Sequence, residues 1–419
     1  MNPTFRSKLP STIADGRPVF SRAEGIYVWD REGRRYLDAT SGAFCVQLGY
    51  TRPDLVRAMA EAAERLPYAR PSEFESEEGE AYRRELLAAA GPPFARVVLT
   101  SSGSEAVEVA LKIAHVYQRA IGSPERGRVE YLEGHYHGAT LGALGVTGWK
   151  ERRVPYEALL GPARTGPVEK SGKVAAIIQE TIPAAGLGVQ VPVPGHLAEL
   201  RARCDESGAL WIADEVLTGF GRVGALFAWK RLGAIPDLIV FGKGAGAGFA
   251  PVAGVLITER VARELDAAGF THHQTYGGNP IAAAVGRRVL QAMAEERIDE
   301  RVRENEVVLW NALDSLRANQ HVSDVRGLGY LWGVELLEDV AAGRPFHRER
   351  QIAEQIAAAC REQGVLVHAG AGSVDGDRGD FILIAPPLIS LPGVFGEIGA
   401  TLRAAIDQVA PGWRLPPTP

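Results

Sequence analysis

Residues 196–214 read HLAELRARCDESGALWIAD, a helical stretch that runs straight into the apolar strand ALWIAD, 209–214. The same succession recurs on both sides. RVVLT (96–100) precedes SGSEAVEVALKIAHVYQRA, in which Val107, Ala110, Ile113, Ala114 and Tyr117 keep helical spacing. VAAIIQ (174–179), LIVFG (238–242) and VAGVLI (252–257) are further short runs of the same character. Strands this apolar, without alternation, suit burial on both faces. Their alternation with helices predicts an α/β fold with a mainly parallel sheet covered on both sides.

Outward from this region the pattern changes. Residues 26–40, IYVWDREGRRYLDAT, predict a hairpin around Asp30-Arg31-Glu32-Gly33. Beyond about residue 298 a charged helix (299–318) leads to strands around 324–337. A helix (348–362), the strand FILIA (381–385) and a last helix (392–408) follow. These predict a second, smaller α+β domain that the N-terminal hairpin joins. The expected division is 1–51 and 299–419 for the small domain and 52–298 for the large one. A chain of 419 residues is too long for one simple core, which agrees with two domains. The tail PGWRLPPTP is expected to be extended.

Composition narrows the classes of function. With 46% hydrophobic and 23% charged residues the chain is an ordinary globular one, and its net charge of -5 argues against nucleic acid or an anionic membrane as partner. No apolar run approaches the ~20 residues that span a bilayer, and MNPTFRSKLP lacks the apolar core of a signal peptide. Cys45, Cys204 and Cys360 lie far apart without metal-type spacing. A cytoplasmic, reduced protein without a metal site is the expectation.

Five short motifs carry chemistry. Ser101-Ser102-Gly103-Ser104-Glu105 joins a strand to a long helix. The N–H groups there are unpaired and carry roughly +0.5 charge, so they suit a phosphate; Ser104 serves equally as a helix cap. In His135-Tyr136-His137-Gly138 the tyrosine either stacks on a flat ring or packs in the core. Asp214 ends a very apolar strand, where ligands of open α/β sheets bind. A carboxylate there needs a partner. A protonated pyridine nitrogen at ~4 Å is worth about 4 kcal/mol at an effective dielectric near 20. Arg222 or the loop GFGRVG are alternatives. Lys243 follows a strand and sits among glycines, in neither a Walker A loop nor a dinucleotide fingerprint. Partial burial would depress its pKa; in an open loop it would be a solvated lysine. Thr275 precedes Asn279-Pro280, an N-cap and first-turn pair, and has a hydroxyl to offer a phosphate.

Taken in this order, with the stretches GIYVWDREGRRYLDATSGA, DEVLTGFGRVG, DVRGLGYLWGVEL and APPL, the chain resembles the class III aminotransferases over nearly its whole length. The resemblance implies pyridoxal 5'-phosphate (PLP) as cofactor, in fold type I, with a seven-stranded, mostly parallel sheet in the large domain. It implies that Lys243 forms a Schiff base with the cofactor and that Asp214 holds the pyridine nitrogen. Gly103 and Ser104 would bind the phosphate, with Tyr136 and Val216 on the two ring faces. Glu180 would lie near the ring, where relatives often pair it with a substrate-binding arginine. Thr275 would reach the phosphate of a second subunit, in a homodimer with shared active sites.

Departures from the family pattern bear on substrate. Leu217 stands where many relatives have Gln. Leu383, three residues before Pro386-Pro387, stands where many have an Arg that clamps an α-carboxylate, and Thr181 replaces the usual Pro after Glu180. The pattern is nearer to that of amine and ω-amino acid transaminases, with a 2-oxo acid such as pyruvate as acceptor. Arg378 is the candidate for a mobile carboxylate-binding arginine, or else an ordinary surface residue. Phe44 and Tyr68 are candidates for the substrate pocket. A PLP-dependent aminomutase, racemase or decarboxylase shares this machinery, and a non-catalytic PLP-fold protein is the remaining alternative.

Overall fold

A computed structural model describes residues 18–160, 165–167, 173–375 and 378–410. Its largest sheet has seven strands, in the spatial order Phe94–Thr100, Ala253–Thr258, Leu238–Phe241, Leu210–Asp214, Val174–Glu180, Arg128–Tyr131 and Thr165–Pro167. Ala253–Thr258 runs antiparallel to both its neighbours. The remaining pairs are parallel. The fold is that of an α/β protein with a mostly parallel central sheet, as expected.

The reason lies in where alternate side chains go. In Leu210–Asp214, Leu210 and Ile212 join an apolar cluster under the helix Gly103–Ala120, with Ala106, Ala110 and Ile113. Trp211 and Ala213 point the opposite way, to Leu197, Leu200 and Cys204 of the helix His196–Ser207. Both periods are satisfied at once, two for the strand and 3.6 for the helices. Every residue of this strand is buried. Replacing Trp211 by Ala would therefore cost about 3–5 kcal/mol.

The chain ends meet in two four-stranded sheets. Phe20–Glu24, Tyr27–Asp30 and Arg35–Asp38 form the first with Val365–Leu366, which runs parallel to Arg35–Asp38. The second has the order Val322–Leu328, Leu331–Leu336, Asp380–Ile384, His368–Gly370. The predicted hairpin is present, with Tyr27 opposite Leu37 and Trp29 opposite Arg35. Two helices are shorter than predicted. The charged helix is regular over Ile298–Asp314 and tightens into a 3-10 turn at Ser315–Ala318. The next begins only at Ile352, because Gln351 takes a left-handed conformation, φ +50°, after the 3-10 turn Arg348–Arg350. The Pro-rich tail lies outside the described residues.

Arg222 links the small sheets to the large one. It is fully buried and donates to the carbonyls of Pro386 at 2.6 Å and Tyr330 at 3.2 Å, and to Ser41 Oγ at 3.0 Å. This fixes the loop that leaves Asp214 against the elements built from both chain ends.

Candidate active site

Three neighbouring strands end level with one another. Glu180 is in register with Asp214, and Asp214 with Val240, two residues before Gly242-Lys243. The carboxyl edge of the sheet thus gathers two acids and a lysine that lie far apart in sequence.

Asp214 is 5% exposed and fully engaged. Its Oδ2 accepts a 2.7 Å hydrogen bond from His137 Nδ1, and its Oδ1 accepts the N–H of Val216 at 3.0 Å. A carboxylate has no proton to give, so His137 carries its proton on Nδ1. His137 is itself held by its N–H to Thr147 Oγ1 at 3.0 Å. Its Nε2 is buried without a partner among the described residues. Neither alternative partner of Asp214 is found among the described residues: its loop contact is with Val216, ahead of GFGRVG, and Arg222 donates to Pro386, Tyr330 and Ser41 instead.

Glu180 accepts the N–H of Tyr136 at 2.9 Å, and its own N–H donates to His135 Nδ1 at 3.0 Å. Burial and the adjacent Asp214 push its carboxyl up to about 8, against the pull of the Tyr136 N–H and of Lys243. Burial holds His135 well below the usual histidine range, so it is neutral. The Glu180 carboxyl is thus held by the Tyr136 backbone N–H, and its backbone by His135, with no arginine bonded to it among the described residues.

Lys243 lies half-buried in a short 3-10 turn, with φ +42°. A non-glycine residue held there costs about 1–3 kcal/mol, and such strain gathers at functional sites. Burial lowers the pKa of its amine, opposed by Asp214, Glu180 and Cys45. The solvated-lysine alternative does not hold. Lys243 lines a cavity of about 270 Å³ with Cys45, Ser101, Ser102 and Phe249.

The opposite wall of that cavity is the start of the helix Gly103–Ala120. Its cap is Ser102, not Ser104: Ser102 Oγ accepts the Glu105 N–H at 3.3 Å. Ser104 Oγ accepts the N–H of Ala139 instead, at 3.0 Å. Gly103 is tight for a reason: a Cβ there would meet both γ-carbons of Val216 at 3.0 Å.

The candidate substrate residues separate. Phe44 is buried in one apolar cluster with Leu217 and Leu383, and its ring meets that of His368 at 5.3 Å. His368 is the cross-strand partner of Leu383. Tyr68 is elsewhere, exposed and edge-on to Tyr276 at 6.5 Å. Thr275 is exposed on the loop whose Gln274 reaches Glu105 at 3.5 Å. Arg378 is exposed in a turn, paired with Asp375 at 2.7 Å. Tyr136 is half-buried, its ring edge-on to Trp149 at 6.1 Å.

Sequence reasoning missed His137 and His368. His137 had a signal, since it stands one residue after the candidate aromatic. His368 had none, because only strand pairing brings it beside Leu383.

These residues fit PLP. A helix start suits a phosphate, the buried pair Asp214–His137 would suit a pyridine nitrogen, and the amine of Lys243 would suit an aldehyde. The close approach of Gly103 to Val216 shapes the floor between them.

Comparison with known proteins agrees. The family model of class III aminotransferases matches residues 14–169 and 163–390. An omega-aminotransferase of Caulobacter vibrioides is 32% identical over 93% of this chain and 94% of its own length. An acetylornithine aminotransferase of Clostridium acetobutylicum is 34% identical over 80% of this chain and 87% of its own. The crystal structure of a thermostable (S)-enantioselective omega-transaminase from Thermomicrobium roseum superposes with a TM-score of 0.84. It is 32% identical and covers 94% of this chain and 93% of its own.

Proposed function

The chain belongs to the class III aminotransferases, and we propose that within this family it takes nitrogen from an amine or an ω-amino acid and passes it to a 2-oxo acid such as pyruvate. It is a PLP-dependent aminotransferase of fold type I. The observation that carries the donor class is the cluster of Phe44, Leu217 and Leu383. Leu383 is fully buried where relatives clamp an α-carboxylate, so that side of the pocket receives an apolar substituent.

When bound, PLP supplies a protonated ring that draws electrons from the substrate carbon. The chain's own groups do the rest. Asp214, oriented by His137 and the Val216 N–H, places a negative charge for the pyridine nitrogen. Gly103 and Ser104, at the positive end of an 18-residue helix, receive the phosphate. Tyr136 and Val216 would flank the ring, and Lys243 would hold the cofactor covalently. When free, its Nζ would take the proton from the substrate carbon that bears nitrogen and return it, on the same face, to the carbon of the cofactor's aldehyde position. Burial suits it to that task by favouring the neutral amine. Glu180, buried beside Asp214, keeps the Tyr136 loop in place.

The site is built for two copies of the chain in this reading. Tyr276, exposed by 65%, follows the exposed Thr275 and meets the ring of Tyr68, itself exposed by 42%. A second subunit would cover them and take the Thr275 hydroxyl to its own phosphate site. The segments 1–51 and 299–419 would form the small domain around 52–298; the small sheets draw their strands from 20–38 and 322–384 and the large sheet from 94–258, which supports that division. No helix among the described residues is long and apolar enough to cross a membrane. With Cys204 and Cys360 buried and all three cysteines unpaired, a reduced cytoplasmic setting suits the chain.

The test is nitrogen balance. Purified enzyme with PLP is given a panel of amines, ω-amino acids and α-amino acids, with pyruvate as acceptor. One alanine per carbonyl product, fastest with amines or ω-amino acids, is expected. An α-amino acid preferred over all amines would refute the donor class. Product without net alanine would instead mark an aminomutase, racemase or decarboxylase.

A further inference from the structure

One face of the helix Gly103–Ala120 carries Ser104 and, a turn later, the half-buried Glu108, four residues apart and therefore neighbours. Ser104 Oγ accepts the N–H of Ala139 at 3.0 Å, and Glu108 Oε1 accepts those of Gly142 at 2.8 Å and Ala143 at 3.3 Å. Gly142 and Ala143 lie in the first turn of the short helix Leu141–Gly145, whose leading N–H groups have no partner within it. Thr140 offers that helix no side-chain cap, and the carboxylate of Glu108 takes the role. The fit is close. A Cβ on Gly138 would lie 2.6 Å from Ser104 Oγ, and one on Gly142 would run into the Glu108 carboxylate. From the short helix the hydrogen bonds continue to the cofactor side. The Ala143 carbonyl accepts the Thr147 hydroxyl at 3.0 Å, and Thr147 Oγ1 accepts the N–H of His137 at 3.0 Å. His137 Nδ1 then donates to Asp214 at 2.7 Å. Ala143, Thr147, His137 and Asp214 are all buried, so the path is screened from water.

We propose that Glu108 is a positioning residue for the cofactor. Through the short helix and Thr147 it fixes His137, and through His137 the direction in which Asp214 presents its charge. This rests on the site reading above, which puts the pyridine nitrogen at Asp214. Ser104 and Glu108 then give one helix two tasks. Ser104 stands at the phosphate end, and Glu108, a turn further on, secures the nitrogen end, so a single rigid element sets the span between them. A carboxylate suits the position because it accepts two N–H groups at once, and a hydrogen bond to a charged acceptor is about twice as strong as a neutral one. Tyr136, one residue before His137, is carried by the same segment.

The wild type is compared with Glu108→Ala, Glu108→Gln, Thr147→Val and the double variant Glu108→Ala with Thr147→Val, and Asp214→Asn serves as reference. Each full-length chain, freed of cofactor, is titrated with PLP and with pyridoxal, which has the ring nitrogen and the aldehyde but no phosphate. Visible circular dichroism at saturating PLP reports how the ring is held. Glu108→Ala and Thr147→Val are each expected to weaken PLP and pyridoxal alike, by about tenfold, as for the loss of a buried hydrogen bond to a charged group. Both should alter the dichroism of the bound cofactor. Glu108→Gln keeps an acceptor oxygen and stays within about threefold of the wild type. The double variant is expected to be no weaker than the worse single one, because both changes interrupt one path. Should Glu108→Ala fail to fold, Glu108→Asp, whose carboxylate stops one carbon short, is read in the same way. The proposal is overturned if Glu108→Ala binds pyridoxal as the wild type does, or if the two losses multiply in the double variant. A lowered Tm with unchanged dichroism also overturns it, since Glu108 would then hold the fold and not the ring. If Asp214→Asn binds pyridoxal as tightly as the wild type, the placement of the pyridine nitrogen fails and the proposal with it. If Asp214→Asn is weak and Glu108→Ala is not, the proposal fails alone.

Discussion

The two sides of the pocket are built on different plans. The cofactor side is the carboxyl edge of one sheet, where Glu180, Asp214 and Lys243 follow buried strands within a few residues. The substrate side is assembled from segments more than two hundred residues apart. Phe44 comes from the N-terminal region and His368 and Leu383 from the second small sheet. The first plan fixes a charge pattern by strand register. The second fixes only a shape, which loop changes can alter without disturbing the sheet. Chemistry held in common therefore sits on the first, and choice of substrate on the second.

The largest effect that would break this contrast belongs to Lys243. Lys243→Ala is expected to lower net turnover by about 10³-fold or more, since it removes both the covalent anchor and the proton carrier. Retained cofactor, read from its visible absorbance, would show that Asp214 and Gly103-Ser104 still hold it. Turnover near the wild-type rate would mean that the cofactor side is misassigned. Next comes Asp214→Asn, with an expected loss of about 10²-fold or more, by analogy with removal of a single electrostatic stabiliser. The amide retains an oxygen for the Val216 N–H but turns an N–H toward His137 Nδ1, which must then shift its proton to Nε2. His137→Phe should lose less, about tenfold, because it orients Asp214 without touching the ring nitrogen. Equal losses in the two variants would make His137 a direct cofactor contact, and its orphaned Nε2 would be the atom responsible.

How much of this could be read in advance follows the same division. Asp214 and Lys243 were legible because each ends a run whose burial is written in its apolarity. The helix start at Gly103 was legible from Ser-Ser-Gly-Ser-Glu, although the capping serine proved to be Ser102. Leu383 was legible as an absence of charge. Its consequence was not, because only the pairing of His368–Gly370 with Asp380–Ile384 puts His368 beside it. Arg378 was the sequence's candidate for a mobile carboxylate-binding arginine, with a surface residue as the alternative. It lies in a turn outside the strand, paired with Asp375 three residues earlier. Long-range register and local ion pairing decide these cases, and neither leaves a mark within a short window of sequence.

A third test uses pH on the cofactor-free protein. Burial and Asp214 raise Glu180 to about 8, and burial raises Glu215 to about 7. In the unfolded chain both carboxyls release their protons near pH 4.5, the ordinary value for Glu. Between that pH and about 7–8 the folded state holds more protons than the unfolded one, so stability falls as pH rises. Tm should therefore decline from pH 5 to pH 8, and Glu180→Gln should flatten part of the decline. The part due to Glu215 would remain. An unchanged slope in Glu180→Gln would show that Glu180 is ionised in the fold, whereas the buried His135, neutral in the fold, acts equally in both proteins. The cofactor side would then hold two negative charges rather than one.

The smallest effect tests the seam between phosphate and ring. Gly103 has an ordinary backbone conformation, so its side chain is excluded by contact alone. A methyl group there would lie 3.0 Å from both Val216 γ-carbons. That distance is tight but not prohibitive, and Val216 is only half-buried, so it can yield by a few tenths of an ångström. The helix start would remain, with Ser102 still capping Glu105. Gly103→Ala should therefore fold normally and weaken PLP by about five-fold, about 1 kcal/mol, the low end of what overpacking costs. Trimming the opposing side chain should undo it: Gly103→Ala with Val216→Ala would bind PLP more tightly than Gly103→Ala alone. If the double variant is simply worse by the sum of the two, the methyl acts on the phosphate directly and not through the ring floor. In that event Val216 and Gly103 belong to separate parts of the cofactor site, and the register of the sheet, rather than the packing between them, sets where the ring lies.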